Sequence, residues 1–277
     1  MLFDSHCHLT SEPLAPQLSG VLQRAREAGV TRVLNIGDSI ETSRAALAQI
    51  PIAQEYDVEM KASAGVHPQN ATEFCFDSTP GVLRALAADK SVVAIGEIGL
   101  DFVYDENHPR FPGAPRDLQA GVLRAQLQLA LELNLPVVIH NREADEALLQ
   151  IVAEYSRPEG ALRGVFHCFG SSLDTARRVL DFGFYLGFTG IVTFKNAPAI
   201  REVAAFCPPE KLLIETDAPY LAPTPQRGKT NEPSFLPHIA EAIAQTRNVS
   251  VAEIAAQTSR NARQLFDVSL SHKSAEK

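Results

Sequence analysis

Tryptophan is absent from the 277 residues, and tyrosine occurs five times. With fourteen phenylalanines as the remaining rings, no surface aromatic can be singled out as a platform for stacking nucleic-acid bases. No segment approaches the roughly 20 apolar residues that a membrane-spanning helix needs, so no membrane partner is expected. The chain does not open on a basic stretch followed by an apolar one, as a secretory leader would. Cysteine is sparse: Cys7, Cys75, Cys168 and Cys207 form no CxxC pair and read as reduced thiols of a cytoplasmic protein. Positive charge is in deficit, with 25 Lys and Arg against 33 Asp and Glu, a net charge of -8. That argues against broad, nonspecific nucleic-acid binding, but leaves room for a local basic patch or bound divalent cations. No GxGxxG follows the first apolar run, which weakens an open dinucleotide-binding sheet. Nothing resembling a linker divides the chain.

What is present is an alternation. Apolar residues make up 45% and charged residues 21%, ordinary for a protein with a large core. Short Val/Ile/Leu-rich runs predict strands at about 2–6, 31–37, 59–66, 92–97, 136–140, 164–167, 184–188 and 211–216. Helices are predicted between them, at about 14–28, 41–55, 81–88, 116–133, 144–155, 173–182, 198–206 and 237–245. Leu123, Leu127 and Ala130 share one helical face, with Leu131 beside them. Val92-Val93-Ala94-Ile95 and Val137-Val138-Ile139 are apolar throughout, as suits parallel strands covered on both sides. Eight such alternations predict an α/β protein of the (β/α)8 TIM-barrel class, one domain over 1–267 with a polar tail at 268–277. A terminal helix is expected at 258–266, and long proline-rich loops at 102–115 and 218–237.

The ionisable residues fall at the strand ends. His6 and His8 alternate onto one face of the first strand. Alone, the pair reads either as half a metal site or as two core histidines. His67 lies just past the third predicted strand, Glu97 ends the fourth, His140 the fifth and His167 the sixth, and Asp217 follows the eighth. A barrel gathers these ends on one face. Four of these imidazoles and the two carboxylates exceed one tetrahedral ion with an open position, and suit two divalent ions bridged by a carboxylate. The mixed donors leave Mg2+, Mn2+ and Zn2+ open. Arg142, two residues after His140, could hold an anionic substrate or pair with Glu143 or Glu146. Lys195, Arg227 and Lys229 fall in loops where barrel enzymes often bind phosphate. His108 and His238 read as structural or surface residues. Cys7 and Cys168 alternate away from the ligand positions and read as packing residues.

The stretches Asp4-Ser5-His6-Cys7-His8-Leu9, Gly65-Val66-His67-Pro68, Ile95-Gly96-Glu97-Ile98-Gly99-Leu100-Asp101, Val138-Ile139-His140-Asn141-Arg142, His167-Cys168-Phe169, Glu215-Thr216-Asp217-Ala218-Pro219-Tyr220 and Asn261-Ala262-Arg263 resemble the TatD family of metal-dependent hydrolases. The resemblance runs from Asp4 to about Phe266. It implies that His6, His8 and Asp217 hold one ion, that His140 and His167 hold another, and that Glu97 bridges them. It implies nuclease action on DNA, including removal of nucleotides from 3′ ends, with His67 and Arg142 near the substrate. Two departures stand out: Thr10 where the family often has Asp, and a long loop at 102–115 bordering the site.

The mechanism expected is hydrolysis of a phosphodiester by metal-activated water, with Asp217 as proton acceptor and Glu97 as metal bridge. Arg142 and a loop cation such as Arg227 would neutralise the phosphate. The partner would be DNA, single-stranded or at 3′ ends, and the enzyme a monomer. Two other readings stay open: an esterase or amidase such as a D-aminoacyl-tRNA deacylase, and a non-catalytic metal-binding protein.

Overall fold

The computed structural model describes residues 1–110, 112–155 and 162–267. The tail at 268–277, with His272, lies outside the described residues. Strands β1 (Leu2–Cys7), β2 (Val30–Asn35), β3 (Glu59–Ala64), β4 (Val92–Asp101), β5 (Val137–Arg142), β6 (Gly164–Phe166), β7 (Tyr185–Phe188) and β8 (Leu212–Ile214) pair in parallel, in chain order. The chain after β8 returns to β1 through a parallel bridge between Cys7 and Ala218. There Asp217 N–H donates to the His6 carbonyl at 2.9 Å, and His8 N–H to the Ala218 carbonyl at 2.7 Å. The chain is a (β/α)8 barrel.

Helices α1 (Leu18–Glu27), α2 (Ile40–Gln54), α3 (Thr79–Leu86), α4 (Arg116–Leu133), α5 (Asp145–Tyr155), α6 (Leu173–Asp181), α7 (Pro198–Phe206) and α8 (Leu236–Arg247) alternate with the strands, and α9 (Val251–Phe266) ends the described chain. Alternation along the strands sorts their side chains into two cores. Val138 belongs to one, while Val137 and Ile139 belong to the other, together with Leu123, Leu127 and Ala130 of α4. The first core holds Phe3, Leu34, Val93, Val165 and Leu213 from the strands, and Ala262, Leu265 and Phe266 from α9. The rings of Phe3 and Phe266 lie 6.4 Å apart, so α9 closes the barrel floor. The opposite end, where strands run into helices, is left for the site. Among the described residues no helix is long and apolar enough to cross a membrane.

Several boundaries differ from expectation for local reasons. Residues 15–17 form a 3-10 turn rather than the start of α1, since Pro16 has no amide to donate and its ring disfavours helical backbone before it. The last helix begins at Val251, not at 258, because Ser250 and Glu253 form a reciprocal capping box. β4 does not stop at Glu97 but runs to Asp101, pairing Ile98 through Asp101 with Ile139 through Arg142. Gly99 permits this continuation: a Cβ there would collide with the His140 backbone carbonyl.

Candidate metal centre

Two β-bulges aim the ligands. On β1 the ladder pairs Asp4 with Val33 and Cys7 with Asn35, so β1 spends one residue more than β2. On β4 it pairs Ile95 with Val137 and Ile98 with Ile139, again one residue extra. Bulges rephase side chains and recur beside active sites. Here they turn His6, His8 and Glu97 into the barrel mouth. Nε2 of His6 and Nε2 of His8 lie 3.0 Å apart. Glu97 Oε2 lies 3.4 Å from the first and 3.5 Å from the second, and Asp217 Oδ1 lies 3.6 and 3.5 Å from them. Asp217 reaches this position through a left-handed backbone, φ 56°.

The other oxygen of Glu97 faces a second set. Oε1 lies 2.9 Å from His140 Nδ1, 2.8 Å from His167 Nε2 and 3.5 Å from His67 Nε2. The chain thus brings together all six residues expected as ligands, with His67 beside them. These donors suit a divalent cation. Ligand atoms at about 2.0–2.2 Å from a tetrahedral ion stand about 3.3–3.6 Å from one another, close to the spacings around His6 and His8. His6, His8, Glu97, His167 and Asp217 are all buried. Buried carboxylates facing imidazole nitrogens want compensating positive charge. Among the described residues His6 Nδ1 has no hydrogen-bond partner, while His140 Nε2 and His167 Nδ1 each face a carboxylate at ion-pair distance.

Mutual electrostatics are strong. Burial works against the Glu97 carboxylate, but His167, His67 and His140 outweigh it and hold its carboxyl well below the usual range. Burial opposes the charge of His167, yet Glu97 and Glu215 raise that imidazole well above its ordinary value. His8 and His140 are also raised despite burial, His8 by Asp217 and Glu97, His140 by Asp101 and Glu97. Burial and the neighbouring His167 lower His6. Burial, then His140, lowers His67.

Two supporting carboxylates escaped the sequence reading. Asp101 Oδ2 stands 3.4 Å from His140 Nε2, on the side of the ring away from Glu97. Glu215 Oε1 stands 3.6 Å from His167 Nδ1 and accepts the Cys168 amide at 2.6 Å, while Oε2 accepts from the Ser5 hydroxyl at 3.0 Å. Carboxylates on the far nitrogen fix which ring nitrogen carries the proton and which presents its lone pair. Period two was the available signal: Asp101 follows Glu97 by four residues, and Glu215 precedes Asp217 by two. Asp4 is buried and, despite hydrogen bonds from Thr216, pushed up to about 7 by burial. It accepts from the Thr216 amide and hydroxyl, tying β1 to the chain after β8.

The mouth is a cavity of about 1200 Å3. Arg142 lines it, with its guanidinium 5.0 Å over the Tyr104 ring and no pairing with Glu143 or Glu146. Glu146 pairs instead with Arg178. Arg227, Lys195 and Lys229 do not line the cavity. Arg227 sits 3.9 Å over the Phe194 ring and donates to the Ala222 carbonyl, and Lys229 donates to Gln226. His238 lies beside Glu241, and His108 against Tyr104. Cys7 is buried, as its packing role requires. Cys168 departs from that expectation: its left-handed backbone, φ 45°, breaks the alternation, and the residue lines the cavity. Thr10 lies in the turn after β1 and does not cap the helical turn that follows, whose N-cap is Leu14.

Comparison with known proteins decides the family. Residues 3–267 match the family described as TatD related DNase. The chain belongs to the TatD family. A relative in Bacillus subtilis, named an uncharacterized metal-dependent hydrolase, YabD, is 41% identical over 270 residues, covering 97% of this chain and all of that protein. A relative in Erwinia tasmaniensis, named 3'-5' ssDNA/RNA exonuclease TatD, is 38% identical, covering 96% of this chain and 100% of its own length. The crystal structure of the Escherichia coli TatD homologue YjjV superposes with a TM-score of 0.85 at 30% identity, covering 96% of this chain and 98% of that one. The protein is accordingly a TatD-family metal-dependent hydrolase.

Proposed function

We propose that this hydrolase is a two-metal deoxyribonuclease that removes nucleotides from the 3′ ends of single-stranded DNA. The observation that carries the reading is Glu97, which turns Oε2 to His6 and His8 and Oε1 to His140 and His167. A carboxylate shared between two nitrogen sets would serve as a common ligand to a pair of divalent ions. One set would be His6, His8 and Asp217, the other His140 and His167, with Glu97 common to both. Mg2+, Mn2+ and Zn2+ all suit these donors. When bound, such ions supply Lewis acidity to the phosphoryl oxygens and acidify the attacking water. Asp217, whose side chain is 12% exposed toward the cavity, takes up the water proton at its carboxylate. His67 stands next to the second set and is positioned to donate to a substrate oxygen. Arg142 supplies the cation that holds a non-bridging phosphate oxygen. The names borne by the Erwinia relatives support a nucleic-acid substrate.

The test is a substrate panel. Chelator-stripped protein is reloaded with Mg2+, Mn2+ or Zn2+ and given a 3′-ended single-stranded oligonucleotide and, in parallel, D-aminoacyl-tRNA. Metal-dependent shortening of the DNA from its 3′ end is expected. Faster deacylation than DNA cleavage would favour the esterase reading, and no hydrolysis with any metal would leave a binding protein. Full turnover by Asp217→Asn with metal bound would refute the role given to Asp217.

A further inference from the structure

Charge poses a problem at this mouth. Among the described residues of its lining, Arg142 is the sole Lys or Arg, against Asp38, Glu97, Glu143, Asp145, Glu146 and Asp217. Bound ions can offset Glu97 and Asp217, but the rim beyond them stays acidic. A polyanion gripped there needs contacts that do not depend on charge. Stacking of bases on aromatic rings is such a contact.

Tyr220 stands in the place for one. It follows Asp217 by three residues, and its amide donates to the Asp217 carbonyl at 2.9 Å. Its ring meets His8 at 6.1 Å between centroids and 70°, so the two do not stack. The residue is 58% exposed. The other strongly exposed aromatics lie off the cavity: Phe76 packs on Phe74, and Phe206 lies under Arg177. Asn231 holds the Tyr220 backbone by donating to its carbonyl at 2.6 Å, so the ring rides on a fixed support.

The opposite wall carries a second anchor. β4 and β8 are four strands apart in an eight-stranded ring, hence across the mouth from each other. On the β4 side Tyr104 meets the His108 ring at 4.8 Å, tilted by 47°, and carries the Arg142 guanidinium over its face at 5.0 Å. Arg142 makes no ion pair or side-chain hydrogen bond with the described residues, so Tyr104 orients a cation whose donors are free for phosphate. The backbone that supplies Tyr104 is tied down by Asp101, whose Oδ1 accepts the Val103 and Tyr104 amides at 3.0 Å each.

We propose that Tyr220 is the base-stacking site of the active centre, taking a nucleobase next to the scissile phosphate while Arg142, oriented by Tyr104, holds the strand on the far wall. This rests on the nuclease reading above. A single strand laid from β8 to β4 passes over Glu97 and Asp217 with a base on Tyr220 and a phosphate on Arg142.

The experiment uses the Mn2+-loaded enzyme and two single strands labelled at the 5′ end. They are identical except that the last two nucleotides of one are abasic. Wild type is expected to show a kcat/KM at least about five-fold higher on the base-bearing strand, the low end of what one stacked base contributes. Tyr220→Ala should collapse that ratio to near one with metal content and melting temperature unchanged, and Tyr220→Phe should restore it. A ratio in Tyr220→Ala equal to that of wild type overturns the proposal. Equal cleavage of the two strands by wild type overturns the base site alone and leaves the nuclease reading standing. Wild type that cleaves neither strand overturns both.

Discussion

Asp101→Asn tests whether the far side of His140 matters as much as the near side. His140 faces Glu97 with Nδ1 at 2.9 Å and Asp101 with Nε2 at 3.4 Å. Asp101 is wholly buried, and although burial alone would raise it, His140, the Tyr104 amide and Gln69 hold its carboxyl below the ordinary range. It is therefore a carboxylate that keeps the proton on Nε2 and leaves the Nδ1 lone pair for a cation. The Asn side chain keeps the shape and the Oδ1 that accepts the Val103 and Tyr104 amides, but removes the charge. Loss of such a partner costs about 10–100-fold in metal affinity, or about 1.4–2.7 kcal/mol. The loss should fall on the ion assigned to His140 and His167, while the His6–His8–Asp217 ion keeps its affinity. Asp101→Ala should show the same metal defect plus a lower melting temperature, since two amides each lose a bond that contributes about 1 kcal/mol. Titration of stripped protein against a fluorescent chelator reads stoichiometry and affinity together. At limiting free metal Asp101→Asn should bind one ion where wild type binds two. Equal weakening of both ions, or wild-type affinity at both, would falsify the reasoning.

Three further outcomes are expected. Metal must displace the protons that Glu97, Asp217, Asp101 and Glu215 favour on His8, His140 and His167, so apparent metal affinity should fall as pH drops through the imidazole range. The metal-free protein should show the opposite sign, drawing stability from the protonated rings on the acid side and losing it as pH rises through their raised values; paired metal-binding and melting profiles check this. Gly187→Ala should destabilise the fold by about 1–3 kcal/mol and loosen metal at His167, because a Cβ there would stand 2.6 Å from Glu215 Oε2; thermal melting and metal titration read the two effects. In steady-state kinetics on single-stranded DNA, Arg142→Ala should lower kcat/KM at least about ten-fold, the loss of one charge-assisted hydrogen bond. Arg227→Ala, stacked on Phe194 outside the cavity, should change it by no more than about two- to three-fold.

The barrel was legible because each strand carries its own local signal. Val137-Val138-Ile139 ends on His140, and Val165-Phe166 ends on His167, so apolar runs and polar termini together fix both strand and mouth. Alternation placed His6 and His8 on one face, and the structure sets their Nε2 atoms 3.0 Å apart. What alternation could not supply were the bulges, since the extra residue on β1 or β4 depends on the partner strand and leaves no mark of its own in the chain. Glu97 was found without its true setting, inside β4 rather than at its end. Asp101 and Glu215 were missed although they sit at even spacings from expected ligands. Tyr220 stood in a quoted motif, yet its exposure is tertiary: it follows from how the turn after Asp217 is pinned by Asn231. The start of α9 was readable in Ser250-Val251-Ala252-Glu253, a capping pattern eight residues ahead of the expected start at Thr258.

The bond between Asp217 N–H and the His6 carbonyl, and the packing of α9 under β1, set an order of events during synthesis. β1 is the first of the described strands to be synthesised; β2 follows it closely on one side, but its neighbour on the other side is more than 200 residues downstream. Its histidines cannot meet Asp217, nor can Phe3 find Phe266, until almost the whole chain has emerged. A nascent chain therefore carries half of a metal site with no second half. Hydrolytic competence therefore waits on ring closure, since the carboxylate that completes the His6–His8 pair is supplied only by the chain after β8.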